Sequence, residues 1–330
     1  MSATLRQPRL NVLANGAPLA GAVSATVSSN NYQGADCFHV NLAATTAMPV
    51  VDTDPITLDI QFSLDGGASF QSMITGAVDA LDFDAIEGTL SLSGRDLSAG
   101  LIAARTQETF ANRTSSEIAT ILAGRHNLAA QVTATTTPAG RYWELEHDRI
   151  TLNAFSQATS EWDLLVSLAQ HEGFDVWVSG TALCFQPPQT ATPVVIRPQD
   201  CVALRLERAL TLAGSIEVTV KSWHSRSGAG CTQTVQRQGS GSAVSYIYVV
   251  PNLTPDQAQA LAQQRLDELT PHERVLVAEM PGELALTPRM AIGLEGTGTA
   301  FDTIYRIDEI ERTLSPRHGF VQRLRARVAG

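Results

Sequence analysis

The sequence predicts a mainly β chain with α+β insertions: two antiparallel β units joined by a small α+β segment. Three observations carry this reading. Short apolar–polar alternations fill residues 1–98, the period-2 pattern of half-buried strands. The middle holds one strong helical stretch, residues 159–173, TSEWDLLVSLAQHEG. Alternation then resumes from about residue 190 to the end. The expected divisions are 1–98 for a first β-barrel, 99–188 for an α+β connection, and 189–330 for a second barrel with one inserted helix at 254–270.

Composition bounds the class. At 330 residues the chain has room for two or three domains of roughly 100–200 residues. With 44% hydrophobic and 17% charged residues it is globular, not disordered. No apolar run approaches the roughly 20 residues a membrane helix needs, so no membrane insertion is expected. The opening MSATLRQPRLNV has no apolar core of the signal-peptide kind, and folding in the cytosol is expected. Cys37, Cys184, Cys201 and Cys231 form no C-x-x-C pair and sit near no histidine at ligand spacing, so they read as buried free thiols. The net charge of −10 argues against gripping nucleic acid, which needs clustered Lys and Arg. It leaves open a surface past which nucleic acid slides.

In the first unit, Leu10 and Val12 alternate with polar neighbours and Asn15-Gly16 makes a hairpin-type turn. Phe38, Val40 and Leu42 share one strand face. Ile56, Leu58, Ile60 and Phe62 alternate strictly with Thr57, Asp59, Gln61 and Ser63, before a turn at Asp65-Gly66-Gly67. Leu81, Phe83 and Ala85, then Leu90 and Leu92, lead to Ser93-Gly94-Arg95-Asp96. Half a dozen short strands with one polar face suggest a small barrel or sandwich. Asp79, Asp82, Asp84 and Glu87 have the look of a carboxylate cluster. Their ordinary role is the solvated side of a strand and its turn.

The middle segment breaks the pattern. Thr114-Ser115-Ser116-Glu117 is a capping box, followed by Ile118, Ile121 and Leu122 on one helical face. Residues 133–140 are a Thr-rich loop. In the main helix, Ser160 and Asp163 cap the first turn. Trp162, Leu165, Val166 and Ala169 form an apolar stripe that must bury, and Gly173 is a left-handed stop. Phe174, Val176 and Val178 then make a strand, with Leu183 to Phe185 returning.

In the last part, Leu204, Leu206, Ile216, Val218 and Val220 alternate with polar residues. Residues 225–242, SRSGAGCTQTVQRQGSGS, are Gly- and Ser-rich and read as a mobile loop. Tyr246, Tyr248 and Val250 restart a strand. Thr254-Pro255-Asp256-Gln257 opens a helix that Pro271 ends. The closing strands hold Leu284 and Leu286, Ile292 and Leu294, residues 304–310 and residues 320–328.

Signals for chemistry are weak. Gly293-x-x-Gly296-x-Gly298 resembles a phosphate loop, but the strand that follows replaces the helix such a loop requires. Glu144, His147 and Asp148 suggest ligands or an acid–base group without a second ligand cluster. No histidine pairs with a Ser or Cys in a nucleophile context. No catalytic, cofactor-binding or metal-binding residue is assigned, and no cofactor is expected.

Three stretches in order carry a resemblance: Gly94-Arg95-Asp96-Leu97; Trp162-Asp163-Leu164-Leu165 with Leu168-Ala169 and Gly173-Phe174; and Gly298-Thr299 with Phe301-Asp302, Tyr305, Ile307 and Ile310. The set resembles the late control protein D family of phage-tail baseplate hubs, and is similar to the N-terminal part of the VgrG spike proteins of type VI secretion. The resemblance covers nearly the whole chain. It implies two tail-tube-like β-barrels in one chain and a non-enzymatic, structural role. It implies a homotrimeric, pseudo-sixfold ring that joins the tail tube to the central spike around a DNA channel. Gly94, Arg95, Asp96, Trp162, Asp163, Leu165, Gly173, Gly298, Phe301, Asp302 and Tyr305 become structural motif residues. The implied partners are sister copies, a spike protein and a tail tube or distal tail protein, with a tape measure protein as a further candidate and DNA only in passage. The implied location is the virion tail, assembled in the bacterial host cytoplasm. Ending at Gly330 leaves no room for VgrG's spike domain, so a separate spike is expected. Two rivals stand beside this: a cell-wall hydrolase using Glu144 and Asp148, and a carbohydrate-binding β module stacking sugars on Tyr142 or Trp143.

Overall fold

The computed structural model describes residues 6–47, 50–106, 108, 110, 112–136, 139, 160–189, 192–223, 230–239, 243–251 and 253–329. The first strands are β1 (Arg9–Ala14), β2 (Ala17–Pro18), β3 (Ala22–Asn30), β4 (Cys37–Ala43), β5 (Thr57–Ser63), β6 (Gln71–Asp84) and β7 (Thr89–Asp96). A single helical turn, α1 (Ala44–Ala47), follows β4. Alternation does the folding here: Leu58, Ile60 and Phe62 are fully buried while Asp59 and Gln61 take the other face. Asn15 and Gly16 turn the first hairpin at φ 49° and 81°, as a two-residue Asn-Gly turn requires. The sheet curls around one core that includes Val12, Val27, Phe38, Val40, Leu90 and Leu92. Strand β3 was not foreseen. Its outward residues are Ser and Thr and its inward ones are Ala25, Val27 and Ser29, a hydrophobic contrast too weak to read locally.

The connecting segment holds α2 (Ser98–Ala103), α3 (Ser115–Arg125), β8 (Ala129–Val132), α4 (Glu161–Glu172), β9 (Asp175–Ser179) and β10 (Ala182–Gln186). Helices α3 and α4 begin with the expected capping boxes, Thr114–Glu117 and Ser160–Asp163, and Gly173 ends α4 at φ 69°. The strands form a sheet in the order β8-β10-β9, with β8 parallel to β10. Leu101, Ile118, Leu122, Leu165, Leu168, Leu183 and Phe185 make its core.

The remainder contains β11 (Val194–Ile196), β12 (Ala203–Arg208), β13 (Ile216–Trp223), β14 (Gly230–Arg237), β15 (Val244–Val249), α5 (Pro255–Leu269), β16 (Arg274–Pro281), β17 (Ala291–Leu294), β18 (Ile304–Ser315) and β19 (Gly319–Val328). The insertion is larger than a helix. Strands β14-β13-β15 form their own sheet, and Ile216, Val218 and Val220 pack on Ala258, Ala262 and Leu266 of α5. The expectation of a mobile loop at 225–242 is therefore corrected for 230–237. That segment is β14, paired with β13 along its length; its side of the sheet is covered by α5, and pairing supplies what its Gly-rich composition lacks. Residues 225–229 and 240–242 lie outside the described residues.

The expectation of two closed barrels is also corrected. Among the described residues no sheet closes on itself. Instead β3 pairs with β18, so a 13-stranded sheet runs β12-β16-β19-β18-β3-β4-β7-β6-β5-β1-β2, with β17 and β11 branching from β18. The physical reason is the edge. Each unit brings a strand with unpaired backbone groups, and the two edges satisfy each other. Thr26 and Thr313 hydroxyls meet across this seam at 3.1 Å. Of the four cysteines expected to be buried, the structure buries Cys184 and leaves Cys37 exposed.

Candidate functional site

Directly paired residues share a sheet face, so the registers define the outer wall. One row runs Ser93–His39–Thr26–Thr313–Val321–Pro281. The next runs Arg95–Cys37–Ser28–Glu311–Arg323–Glu279. The wall is polar at the seam itself, Thr26–Thr313 and Ser28–Glu311, and mostly polar on either side, with Val321 and Pro281 the apolar members of these rows. Its charges alternate: Arg323 stands between Glu311 and Glu279, and Arg325 opposite Glu309. Only the β6 end is mainly acidic. There Asp79 holds Arg95 through two bonds of 2.6 and 2.9 Å, and Asp84 accepts the Ile86 and Glu87 N–H groups at 2.9 Å. Two of the four clustered acids thus pin a strand and its turn.

Behind this wall three parts of the chain meet at the β3–β4 loop, residues 31–36. The Trp162 indole of α4 donates to the Gln33 carbonyl at 2.6 Å. Asn31 N–H donates to the Asp308 carbonyl of β18 at 2.7 Å. Arg289, in the loop before β17, donates to the Asn30 carbonyl at 3.3 Å and to Asn31 Oδ1 at 3.4 Å, with its guanidinium 4.6 Å from the Trp177 ring centre. Asp36 Oδ1 accepts the Asn30 backbone N–H at 2.8 Å and its side-chain amide at 3.2 Å. The Asp36 carbonyl accepts Asp96 N–H at 2.9 Å. Asp36, Asp96, Asp175, Trp177, Arg289 and Arg312 line one cleft of about 420 Å³.

The electrostatics of this corner follow from burial. Burial, reinforced by the Asp96 carboxylate, pushes Asp36 up to about 7; the Asn30 N–H, the Ser29 hydroxyl and Arg289 pull the other way. Burial also raises Asp96. It lowers Arg289 and brings Arg312 down to about 10. Arg312 is 3% exposed and donates to the Glu283 and Leu286 carbonyls. Among the described residues no carboxylate lies within 4 Å of Arg289 or Arg312, and no cation within 4 Å of Asp36 or Asp96. Asp175 is held by Arg306.

The motif residues divide between this junction and two helix or loop ends. Gly94 faces Phe38 and Val78, where a Cβ would stand 2.0 Å from the Ala77 carbonyl oxygen and 2.5 Å from Phe38. Asp96 accepts the Ser98 N–H and hydroxyl at the start of α2. Asp96 and Trp162 both line a small crevice with Arg289. Asp163 caps α4 and Leu165 is fully buried in the middle core. Gly298, Phe301, Asp302 and Tyr305 form a separate knot. Asp302 accepts Thr297 N–H at 3.1 Å, Thr297 Oγ1 at 2.6 Å and Gly298 N–H at 3.0 Å, and Tyr305 donates to the Phe301 carbonyl at 2.9 Å. Those bonds hold Asp302 below the usual carboxylate range, the Thr297 hydroxyl most of all. No local pattern in the sequence marks Asp36, Trp177, Arg289 or Arg312. Each sits alone in an ordinary context, and only the fold brings them together. Tyr142, Trp143, Glu144, His147 and Asp148 lie outside the described residues.

The architecture has known counterparts. The chain is similar to the tail protein of Neisseria meningitidis MC58, with TM-score 0.75 and 16% identity over 97% of this chain and 96% of that one. It is similar to the 43 kDa tail protein of prophage MuSo2 from Shewanella oneidensis, with TM-score 0.74 and 16% identity over 97% and 98%. A type VI secretion component from E. coli, described as similar to the T4 tail proteins gp27 and gp5, aligns with TM-score 0.58 and 10% identity over 98% and 77%. The chain thus has the fold of phage tail proteins and of VgrG-related proteins, as the ordered motifs implied. No family model and no curated protein matches the sequence.

Proposed function

We propose that this chain is a structural component of a phage or phage-like tail, located in the virion, and that it acts as a hub. Three copies form a ring that joins the tail tube to a spike protein and surrounds the path of DNA. The β units within 1–98 and 189–330 supply the ring wall, and 99–188 braces it from outside.

One observation carries the reading: the polar strand wall that crosses both β units through the β3–β18 pairing. Among the described residues the strand array ends at β12 on one side and at β1–β2 on the other, without a further strand paired to either. Sister copies can satisfy those edges in a closed ring. A polar wall without an extended basic stripe suits DNA in passage rather than DNA held. Acidic residues are concentrated at the β6 end; elsewhere Arg323 and Arg325 balance the glutamates. The motif residues serve this role by shaping backbone, not by chemistry, which supports a non-enzymatic part.

The test is the mass of the purified protein in solution, alone and with its neighbouring spike protein, followed by imaging of the particle. A threefold annulus in either condition supports the hub. A monomer in both conditions overturns it.

A further inference from the structure

The β3–β4 loop is gripped from three directions: by Trp162 of α4, by Arg289 ahead of β17, and by the Asp308 carbonyl of β18. Its own shape depends on Asp36, whose carboxyl group receives both Asn30 donors. The bond from Asp96 N–H to the Asp36 carbonyl brings a second carboxyl group into the same corner. With Asp96 buried, Asp36 partly covered and, among the described residues, no cation in contact with either, the pair is easier to accommodate with one carboxyl group neutral than as two charges.

We propose that Asp36 is a proton-operated catch on this loop. Neutral, it lets residues 31–36 knit the first β unit to α4 and to the strands of the last part; ionised beside Asp96, it loosens that grip.

The groups facing Asp36 come from every neighbouring element. Its own strands contribute the Ser29 hydroxyl, Asn30 and the Cys37 thiol. Asp96 comes from β7, Arg289 from the loop before β17, and Arg312 from β18. Asp175 of β9 lines the same cleft and is neutralised by Arg306. Helix α4 presents Trp162, which carries no charge. Among the described residues neither the Arg289 nor the Arg312 guanidinium neutralises the carboxyl pair by contact. Arg289 is committed to Asn30 and Asn31, and Arg312 to the carbonyls of Glu283 and Leu286.

The direction is set by linkage. Asp36 stands at about 7 in the closed loop against 3.8 for a free aspartate. The closed loop therefore binds the proton more tightly than the open one. Closure is fullest below pH 3.8, weakens as pH rises towards 7, and is constant above that. Within the window each pH unit shifts the opening equilibrium by up to about tenfold.

The experiment is hydrogen exchange on the full chain from pH 5 to 9, read as protection factors so that the intrinsic pH dependence of exchange divides out. The reporters are the Asn31 and Asp96 amides, with Trp162 emission as a second probe. Protection is expected to fall from pH 5 to about 7 and then level. Asp36→Asn, which keeps the acceptor oxygen and removes the charge, is expected to give a flat, high profile. Asp96→Asn removes the neighbouring charge and is expected to move the levelling point to lower pH. A flat wild-type profile overturns the catch, as does a decline that persists in Asp36→Asn. Should Asp36→Asn fail to fold by circular dichroism, an unshifted levelling point in Asp96→Asn overturns it instead.

Discussion

At the scale of single residues, the motif positions are explained by close approach and by hydrogen bonding. Gly94 has no room for a Cβ, because the obstacle is the Ala77 backbone as well as Phe38. Gly94→Ala is expected to cost about 1–3 kcal/mol of unfolding free energy, as overpacking between adjacent strands does; chemical denaturation measures it. Trp162 is 4% exposed and its indole is bonded to Gln33. Trp162→Phe keeps an aromatic ring and strands a carbonyl. A loss of about 1–2 kcal/mol is expected, together with faster exchange at residues 31–36 than at the β7 core. Both are motif residues in the sequence, where Trp162 reads as part of an apolar stripe. Its polar end was invisible because the acceptor lies 129 positions away. Arg289 was less visible still. It occupies a turn at φ 76°, and its bond to Asn30 spans 259 positions.

At the scale of elements, helices were legible because their signals are local. Ser160 and Asp163 form a reciprocal cap within four residues, and Gly173 takes the left-handed conformation that ends α4. Ser160→Ala is expected to lose about 1 kcal/mol, and Gly173→Ala about 1 kcal/mol through the strained φ. Thermal unfolding of the full chain followed by far-UV circular dichroism checks both, the fall in Tm being larger for the double variant. Strands were legible only where one face is strongly apolar, as in β5. The Ser- and Thr-rich β3, the four-residue β8 and the Gly-led β14 owe their conformation to partners, which no local window contains. The joint between the insertion and β16 is similarly hidden. Glu273, 9% exposed, receives Arg208 at 3.1 Å and Arg237 at 3.2 Å. These come from β12 and β14 and converge only in three dimensions. Glu273→Gln keeps the shape and removes the counter-charge; with the arginines partly solvated, a loss of about 1–3 kcal/mol is expected, seen as an earlier transition in urea.

At the scale of the molecule, the β3–β18 seam joins the two β units into one hydrogen-bonded sheet, and coupled unfolding is expected to follow. Thr313 pairs with Thr26 on one side and Val321 on the other. Proline there removes a ladder donor inside a central strand, which costs about 3 kcal/mol or more. Thr313→Pro is expected to split the calorimetric transition in two, with the first unit and the β16–β19 strands melting separately. A single, merely lowered transition would mean that the seam does not couple them. In the proposed ring the wall would run through this pairing, so the same variant is expected to lose the annular particle.

Sequence alone determined that the chain is mainly β, that it carries capped helices at α3, α4 and α5, and that its ordered motifs match a tail-protein fold. These follow from periods of two and 3.6 residues and from caps, all of which act over a few positions. Only the tertiary structure decided that the units share one open sheet, and that Asp36, Asp96, Arg289 and Arg312 meet behind it. Edge pairing and charge burial are settled between residues far apart in the chain, where neither alternation nor spacing carries information.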